Sequence, residues 1–521
     1  MSSELLLGID IGTLGSKGIL IDTEGRSIAE HFIEHGINVV RPGWIEQDAE
    51  ACYWQDFKAI VRYLLKASES DPKEILGVGI SSLAPDLVAI DKTGKPIRPA
   101  IIYMDRRAEK ECEWVKENVG SEKVFEVTAN AIDSYFSGYK IMWYLNHEPE
   151  NYRKSWKILN ANEYVIHKLT GETGMDYGTA SVFAPFFDFK KKQWSDDMCQ
   201  QVKMDVDKLP TPCEAHDVVG EVTGGGEETG LAPGTPVVPA SADALQSALS
   251  VGVLDNGESC FTYGTTSCWV VAQDEPRFDP RLVNTWHQAP GRYISTAAMV
   301  TTGALIRWFR DQFGQPEKQI AQSTGESAYK LLDEQAEKIP PGSDGLITLP
   351  YFAGERTPIW DPKAKGLIFG LTLYHTRAHI YRSLLEAAGY GLRQHMQIAK
   401  EIGIPISNMI AVNGGAKSKL WRQIISDITG FPQQYVPNAP GAPLADAFVA
   451  GLGAGLFKAY SEIKKFVTMG DEVVPNQRLH EQYSKLQVVY ENLYHHTKED
   501  ADQVHNFTAQ TIPTSRPWTI A

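Results

Sequence analysis

The feature that most limits what this chain can fold into is its opening, Leu5-Leu6-Leu7-Gly8-Ile9-Asp10-Ile11-Gly12-Thr13-Leu14-Gly15-Ser16-Lys17-Gly18-Ile19-Leu20-Ile21-Asp22. Two apolar runs flank a turn of Gly, Thr, Gly and Ser, a pattern that predicts a tight β-hairpin. Glycines leave backbone N–H groups free in such a turn, and Thr13 and Ser16 add hydroxyl donors, so the turn forms a concavity suited to a phosphate. Asp10 ends the first run, where its carboxylate can face a cation held by that phosphate, and Lys17 adds a positive charge. A plain surface hairpin is the competing reading of this segment taken alone.

Strand-like segments follow at Ser27–Glu34 and Leu76–Ser81, the first of them joined to the hairpin by the Asp22-Thr23-Glu24-Gly25 turn. Between them, Asp48 to Ala67 has helical spacing, with Trp54, Phe57, Ile60, Val61, Leu64 and Leu65 on one face. A fainter copy of the opening appears at Glu258–Ala272, where Gly264-Thr265-Thr266-Ser267 again separates two strand-like runs, 252 residues after Gly12-Thr13. Internal self-similarity of this kind predicts two related α/β halves, each offering a hydroxyl-lined hairpin to a shared cleft. Chance likeness of two short turns is the alternative. The expected boundary is near Gly252–Gly257. Just before it, Pro236-Val237-Val238-Pro239 reads as a buried strand and Asp243 begins a helix, as an N-cap or as a carboxylate aimed into the cleft.

In the second half, Ser407 to Val412 runs into Asn413-Gly414-Gly415-Ala416, and a helix from about Ser418 to Thr429 is closed by Gly430 and Pro432. Thr376 to Gly403 has the spacing of a long amphipathic helix, with Ile380, Leu384, Ala388, Leu392 and Met396 inward. Pro440-Gly441-Ala442-Pro443 opens a helix rich in Ala and Gly. After about Lys458 the chain turns polar, and its last dozen residues read as a loose tail. A net charge of −15 over 521 residues argues against nucleic acid as a partner. The six cysteines are scattered, without a Cys-x-x-Cys pair, which fits reduced thiols, no structural zinc and a cytoplasmic location. No secretory leader is expected. The apolar stretch Ala442–Phe457 contains Asp446 and is too short for a membrane span.

Together, and in order along nearly the whole chain, these pieces resemble the FGGY family of carbohydrate kinases. Asp10-Ile11-Gly12-Thr13 with Lys17 is similar to the family's first phosphate hairpin. Tyr103-Met104-Asp105-Arg106-Arg107 resembles its sugar-binding segment, and Tyr135-Phe136-Ser137-Gly138-Tyr139-Lys140 another substrate-side segment. Asp243 falls where the family keeps its catalytic aspartate. Gly264-Thr265-Thr266-Ser267, Gly303, Arg307 and Gly414-Gly415-Ala416 follow its nucleotide side, and Gly366 to Arg393 its long signature region. The resemblance implies an α/β fold of two actin-like (ribonuclease-H-like) domains around a central cleft. Residues 1–253 would carry the sugar and the first phosphate hairpin, and residues 254–521 the nucleotide.

It further implies phosphoryl transfer from ATP to a sugar hydroxyl with Asp243 as general base, and Mg²⁺ held through water at Asp10, for which a solvated strand-end aspartate is the alternative. Gly12, Thr13, Lys17, Gly264, Thr265 and Thr266 would surround the transferring group, with Gly303 and Arg307 on the nucleotide side and Gly415 and Lys419 near the adenine and ribose. Asp105 would accept hydrogen bonds from sugar hydroxyls, and Arg106 and Tyr135 would position the substrate. One stretch departs from the pattern. Where xylulose kinases of the family usually carry Gln-Met-His-Gly and glycerol kinases an Arg-Glu pair, this chain has Ser81-Ser82-Leu83-Ala84-Pro85-Asp86. Ala84 and Asp86 thus become substrate-side candidates. The layout is nearest to xylulose kinases, so a ketopentose is the expected acceptor. Ribulose-type and other ketoses or polyols stay open, and glycerol is less favoured. A homodimer is left open as an assembly. The rival classes are an actin-like ATPase of chaperone type and a sugar-binding protein without turnover.

Overall fold

The computed structural model describes residues 4–437 and 439–511. The opening hairpin forms as expected, Leu5–Ile11 pairing antiparallel with Gly15–Asp22, and Ser27–Glu34 completes a meander. The chain then makes one π-helical stretch at Ala49–Gln55, opened by Asp48 accepting the Ala51 N–H, and continues as an α-helix over Asp56–Ser68. Trp54, Phe57, Ile60, Val61 and Leu64 are buried there, because their spacing sets them on the side facing the sheet. Strand Ile75–Ser82 next enters parallel to Leu5–Ile11, and Pro236–Val238 parallel to Ile75–Ser82.

The second half repeats the path. Ser259–Thr262, Ser267–Gln273 and Tyr293–Met299 form an antiparallel meander. The helix Arg377–Glu401 follows, and then Ile410–Val412 and Gln433–Tyr435 add in parallel. Each half is thus an α/β unit of the same topology, and the mixed two-domain architecture expected from the sequence is present. The helix Lys419–Thr429 starts at Ser418, whose hydroxyl accepts the Trp421 N–H, and stops at Gly430 in the left-handed region. The polar stretch after Lys458 hides one element that its composition did not announce. Gln477–Thr511 is a single helix, and its Tyr483, Tyr490 and Leu493 are buried in the core of the second half. Of the expected loose tail, all but Gln510 and Thr511 lies outside the described residues. No helix among the described residues is long and apolar enough to cross a membrane.

The two halves exchange helices. Asp243–Leu249, which follows the last parallel strand of the first sheet, packs Leu245 and Ala248 with Cys260, Val270, Ile410 and Val412 of the second sheet. In return, Ala442–Gly453 from the second half lies on the first sheet, with Leu444, Ala447 and Phe448 against Leu6, Ile19, Ile21 and Val238. That approach is possible only over bare backbone. A Cβ on Gly8 would stand 1.9 Å from the Pro443 carbonyl oxygen, and one on Gly79 would stand 2.0 Å from that of Asp446. Overpacking against backbone, which cannot swing aside, costs about 1–3 kcal/mol or more. Gly79→Ala should therefore lower the unfolding free energy by that amount and the denaturant midpoint with it. Gly36→Ala, at a position with nothing within 4 Å, should leave it unchanged. Equal midpoints for the two variants would show that the helix does not sit tightly on the strands.

Candidate active site

Strand register explains how the acidic centre forms. Asp10 is opposite Lys17 in the antiparallel pair and opposite Ser81 in the parallel pair, so all three side chains leave the same face of the sheet. That face is the one covered by Ala442–Gly453. The Ser81 hydroxyl donates to Asp446 (2.7 Å) and lies 3.2 Å from the Asp10 carboxylate. Burial pushes the Asp10 carboxyl up to about 7, and the nearby Asp243 charge adds to this, against opposing help from Ser81 and Lys17. Asp446 is fully buried, and one of its carboxylate oxygens has no partner. Its carboxyl is held well above the usual range, first by burial and then by Asp10.

Asp243 is the first residue of its helix, with Ala242 at the cap position, so the cap role considered from the sequence falls to its neighbour. Its carboxylate accepts the Ala244 N–H at 2.6 Å. Burial raises it to about 6, opposed by that N–H and by the Arg356 guanidinium. Its charge is felt by Asp10, Asp86 and Tyr103 of the first half and by Cys268 of the second. Ala242 bridges Ser82, which stands beside Ile11, and the helix packs on the second sheet, so Asp243 lies between the halves near the Gly12-Thr13 bend.

The first turn is braced on every side. The Gly12 N–H donates to the Gly15 carbonyl at 3.0 Å, Gln47 donates to the Thr13 carbonyl at 2.8 Å, and His35 sits between the Gly12 carbonyl and Asp56. The Thr13 hydroxyl points at the Tyr103 hydroxyl, 3.5 Å away. Two expectations need correction here. Ser16 does not add a donor to the concavity, because its hydroxyl is sealed in the sheet without a partner. Lys17 is engaged by Glu30 (3.0 Å) and the Pro440 carbonyl (3.1 Å) instead of standing free over the turn.

The second turn opens onto a cleft of about 1060 Å³. Gly264, Thr265, Gly303, Arg307, Gly415 and Lys419 all line it, and Thr266 does not. Arg307 donates to the Thr265 hydroxyl at 3.1 Å. Gly303 and Gly415 are required sterically. A Cβ on the first would meet the Gly264 carbonyl oxygen at 2.3 Å, and a Cβ on the second would meet the Trp421 ring at 2.6 Å. Tyr329, Asp333 and Trp421 complete walls that combine flat rings with a carboxylate, a suitable lining for a base and a ribose.

On the other side of Asp243, the expected sugar-facing residues divide into two groups. Asp105 does not meet solvent. Its carboxylate is fully buried and accepts a fork from Arg107 (2.9 and 2.8 Å) together with the N–H groups of Ile45 and Arg107. Arg107 is equally buried, stacked on Trp44 and Trp143 and paired with Glu46. With every acceptor direction of Asp105 taken, the hydroxyl-binding role read from the sequence gives way to a buttress under the segment. Arg106 pairs with Asp133 and the Ser134 hydroxyl. Tyr135 donates to the Ala84 carbonyl at 3.3 Å, and its ring stands edge-on to Tyr103, 6.3 Å between centroids. Asp86 accepts the Tyr103 N–H at 3.0 Å, and its second oxygen is buried without a partner. Burial holds the Asp86 carboxyl well above the usual range, opposed by the Lys140 ammonium. Burial in turn lowers Lys140 to about 8.

The residues that sequence reasoning missed are Arg356, Glu355 and Asp446. The first two lie in an irregular loop without periodicity. Asp446 left one visible sign, a single acid inside an otherwise apolar helical run. Among the described residues no group of three or more His, Cys, Asp or Glu side chains could cage a metal. One or two carboxylates beside phosphates are the arrangement Mg²⁺ prefers, and Asp10 fits it.

The N-terminal domain of the FGGY family of carbohydrate kinases matches residues 5–250, and the C-terminal domain of that family matches residues 260–452. A xylulose kinase of Bacillus subtilis is 27% identical over 498 residues, covering 95% of this chain and 97% of that protein. A gluconokinase of Bacillus licheniformis is 27% identical over 510 residues, covering 96% and 98%. The crystal structure of a xylulose kinase from Rhodospirillum rubrum superposes with a TM-score of 0.86 at 29% identity, covering 95% of this chain and 99% of that one. The paired hairpins, the cleft and these matches lead to one conclusion: the chain belongs to the FGGY family of carbohydrate kinases.

Proposed function

We propose that this enzyme transfers the terminal phosphoryl group of ATP to a hydroxyl of a ketopentose such as xylulose, with Asp243 as general base. The observation that carries the reading is Asp243, a half-buried carboxylate next to Ala242, which bridges Ser82 beside Ile11 and so lies near the Gly12-Thr13 turn, with its charge reaching Tyr103 and Tyr135. A sugar hydroxyl is a poor nucleophile at neutral pH. A base that takes its proton as attack proceeds contributes on the order of 100- to 10,000-fold. The acceptor would lie among Ala84, Asp86, Arg106 and Tyr135. The nucleotide would lie along Gly264, Thr265, Gly303, Arg307, Gly415 and Lys419, with Gly12 and Thr13 facing its phosphates. Asp10 would hold Mg²⁺ through water, and the ion would supply charge neutralisation for the phosphates. In this reading, residues 1–253 bind the sugar and residues 254–521 the nucleotide, the protein works in the cytoplasm, and closing of the halves excludes water from the transfer. Xylulose is favoured by the likeness to proteins named xylulose kinases across almost their full length.

Two measurements test this. A coupled assay of ADP release should show turnover with D-xylulose well above that with D-ribulose, gluconate, glycerol or no acceptor, and Asp243→Ala should lose at least about 100-fold of it while binding ATP as before. Higher turnover with gluconate would reassign the acceptor, and wild-type rates from the variant would remove Asp243 as base. The pH profile gives an independent check. Asp243 accepts a proton only when ionised, and burial raises it to about 6 while its neighbour Asp10 is raised to about 7. Activity must therefore rise with pH, and the apparent values belong to the interacting pair. The expected result is a kcat/KM that is flat above pH 7 and falls about tenfold per pH unit below about 6. A profile still flat at pH 5 would contradict it.

A further inference from the structure

On the acceptor side of the gap, the cations already described are held by neighbouring groups. Lys17 is taken by Glu30 and the Pro440 carbonyl, Arg106 by Asp133, Arg107 by Asp105 and Glu46, and Lys140 by the Tyr135 carbonyl. The Arg356 guanidinium, half-buried, makes no hydrogen bond and no ion pair with any of the described residues. It lies over the rings of Tyr135 and Tyr103, 5.3 and 5.8 Å from their centroids, and its charge reaches Asp243 and Cys268. Its backbone is rigidly carried by the second half. Glu355 accepts the N–H groups of Val300 and Arg356, each at 2.9 Å, and the Thr357 hydroxyl is bonded to both the N–H (2.6 Å) and the carbonyl (3.1 Å) of Ala298. A guanidinium presents five N–H donors in a fixed fork that matches phosphate oxygens. Tyr103, over which it lies, has its hydroxyl on Thr13 of the first phosphate turn. The unpaired fork therefore stands between the acceptor chamber and the first phosphate turn, held by the opposite half of the molecule.

We propose that Arg356 is a catalytic residue that grips the phosphoryl group in transit, a cation supplied in cis from the second half. The inference rests on the kinase reading above. As the acceptor oxygen bonds to the terminal phosphorus, the bond from that phosphorus to the bridging oxygen of ADP breaks, and the hydroxyl proton passes to Asp243. Arg356 keeps all its protons and donates N–H bonds to the peripheral oxygens, over which the charge of the transition state is spread. Such a contact acts on the transition state, so its loss lowers kcat and leaves KM nearly unchanged.

The test uses the full-length enzyme with MgATP and D-xylulose, comparing wild type with Arg356→Gln and Arg356→Lys. The expected result is a kcat lower by about 10³-fold for R356Q, a smaller but clear loss for R356K, KM values for both substrates within about threefold, and unchanged melting temperatures. The same ratios are read on the slow hydrolysis of ATP by water, which moves the same phosphoryl group whatever the sugar acceptor is. Arg356 is thus judged separately from the identity of the sugar. A kcat within about threefold of wild type in both variants overturns the proposal. So does a rise in the KM for D-xylulose at constant kcat, which makes the residue a sugar contact. Loss of the folded state in both variants, which makes it structural, overturns it as well.

Discussion

The contact on which the rest depends is the seating of Ala442–Gly453 on the bare backbones of Gly8 and Gly79. It ties the second half of the chain to the first sheet and covers the face from which Asp10, Lys17 and Ser81 project. Because the strands carry no side chain at those two positions, Asp446 comes within reach of the Ser81 hydroxyl. The reciprocal packing of Asp243–Leu249 on the second sheet aims Asp243 at the gap from the opposite direction. The gap between the halves is thus bordered by two exchanged helices.

Burying several carboxylates together is unfavourable unless some stay protonated or gain donors. The molecule does both. Ser81 bridges Asp10 and Asp446, the Ala244 N–H and the Arg356 charge support Asp243, and Lys140 offsets Asp86. The ionised form of Asp243 is kept accessible near neutrality, while Asp446 and Asp86 are pushed further towards the neutral form. Different surroundings thus give carboxylates of one type different charge states within a single chamber.

Much of this was legible along the chain. The two Gly/Thr hairpins, Asp243 at a strand-to-helix junction, and the glycines at 303 and 415 are local signals, because close backbone approach and tight turns need particular residues at particular places. Six of the residues expected on the nucleotide side do line one cleft. Asp105 illustrates the opposite case. Its sequence neighbours show an acid beside two arginines, but whether the acid faces a ligand or its own neighbour depends on where Trp44 and Trp143 stack, and they come from distant parts of the chain. Arg356 went unnoticed for the same reason, since its loop has no period and gains meaning only from the two tyrosines beneath it.

By itself the sequence determined the duplicated α/β pattern, the phosphate-type turns and the acid that starts the middle helix, because each depends on residues close in the chain and on a repeating spacing. Only the tertiary structure decided which charges are paired and which are left open. Pairing depends on distances between segments hundreds of residues apart, such as Ser81 with Asp446 or Lys17 with Pro440. Those distances are set by how closely helix and sheet can approach, which no local pattern encodes.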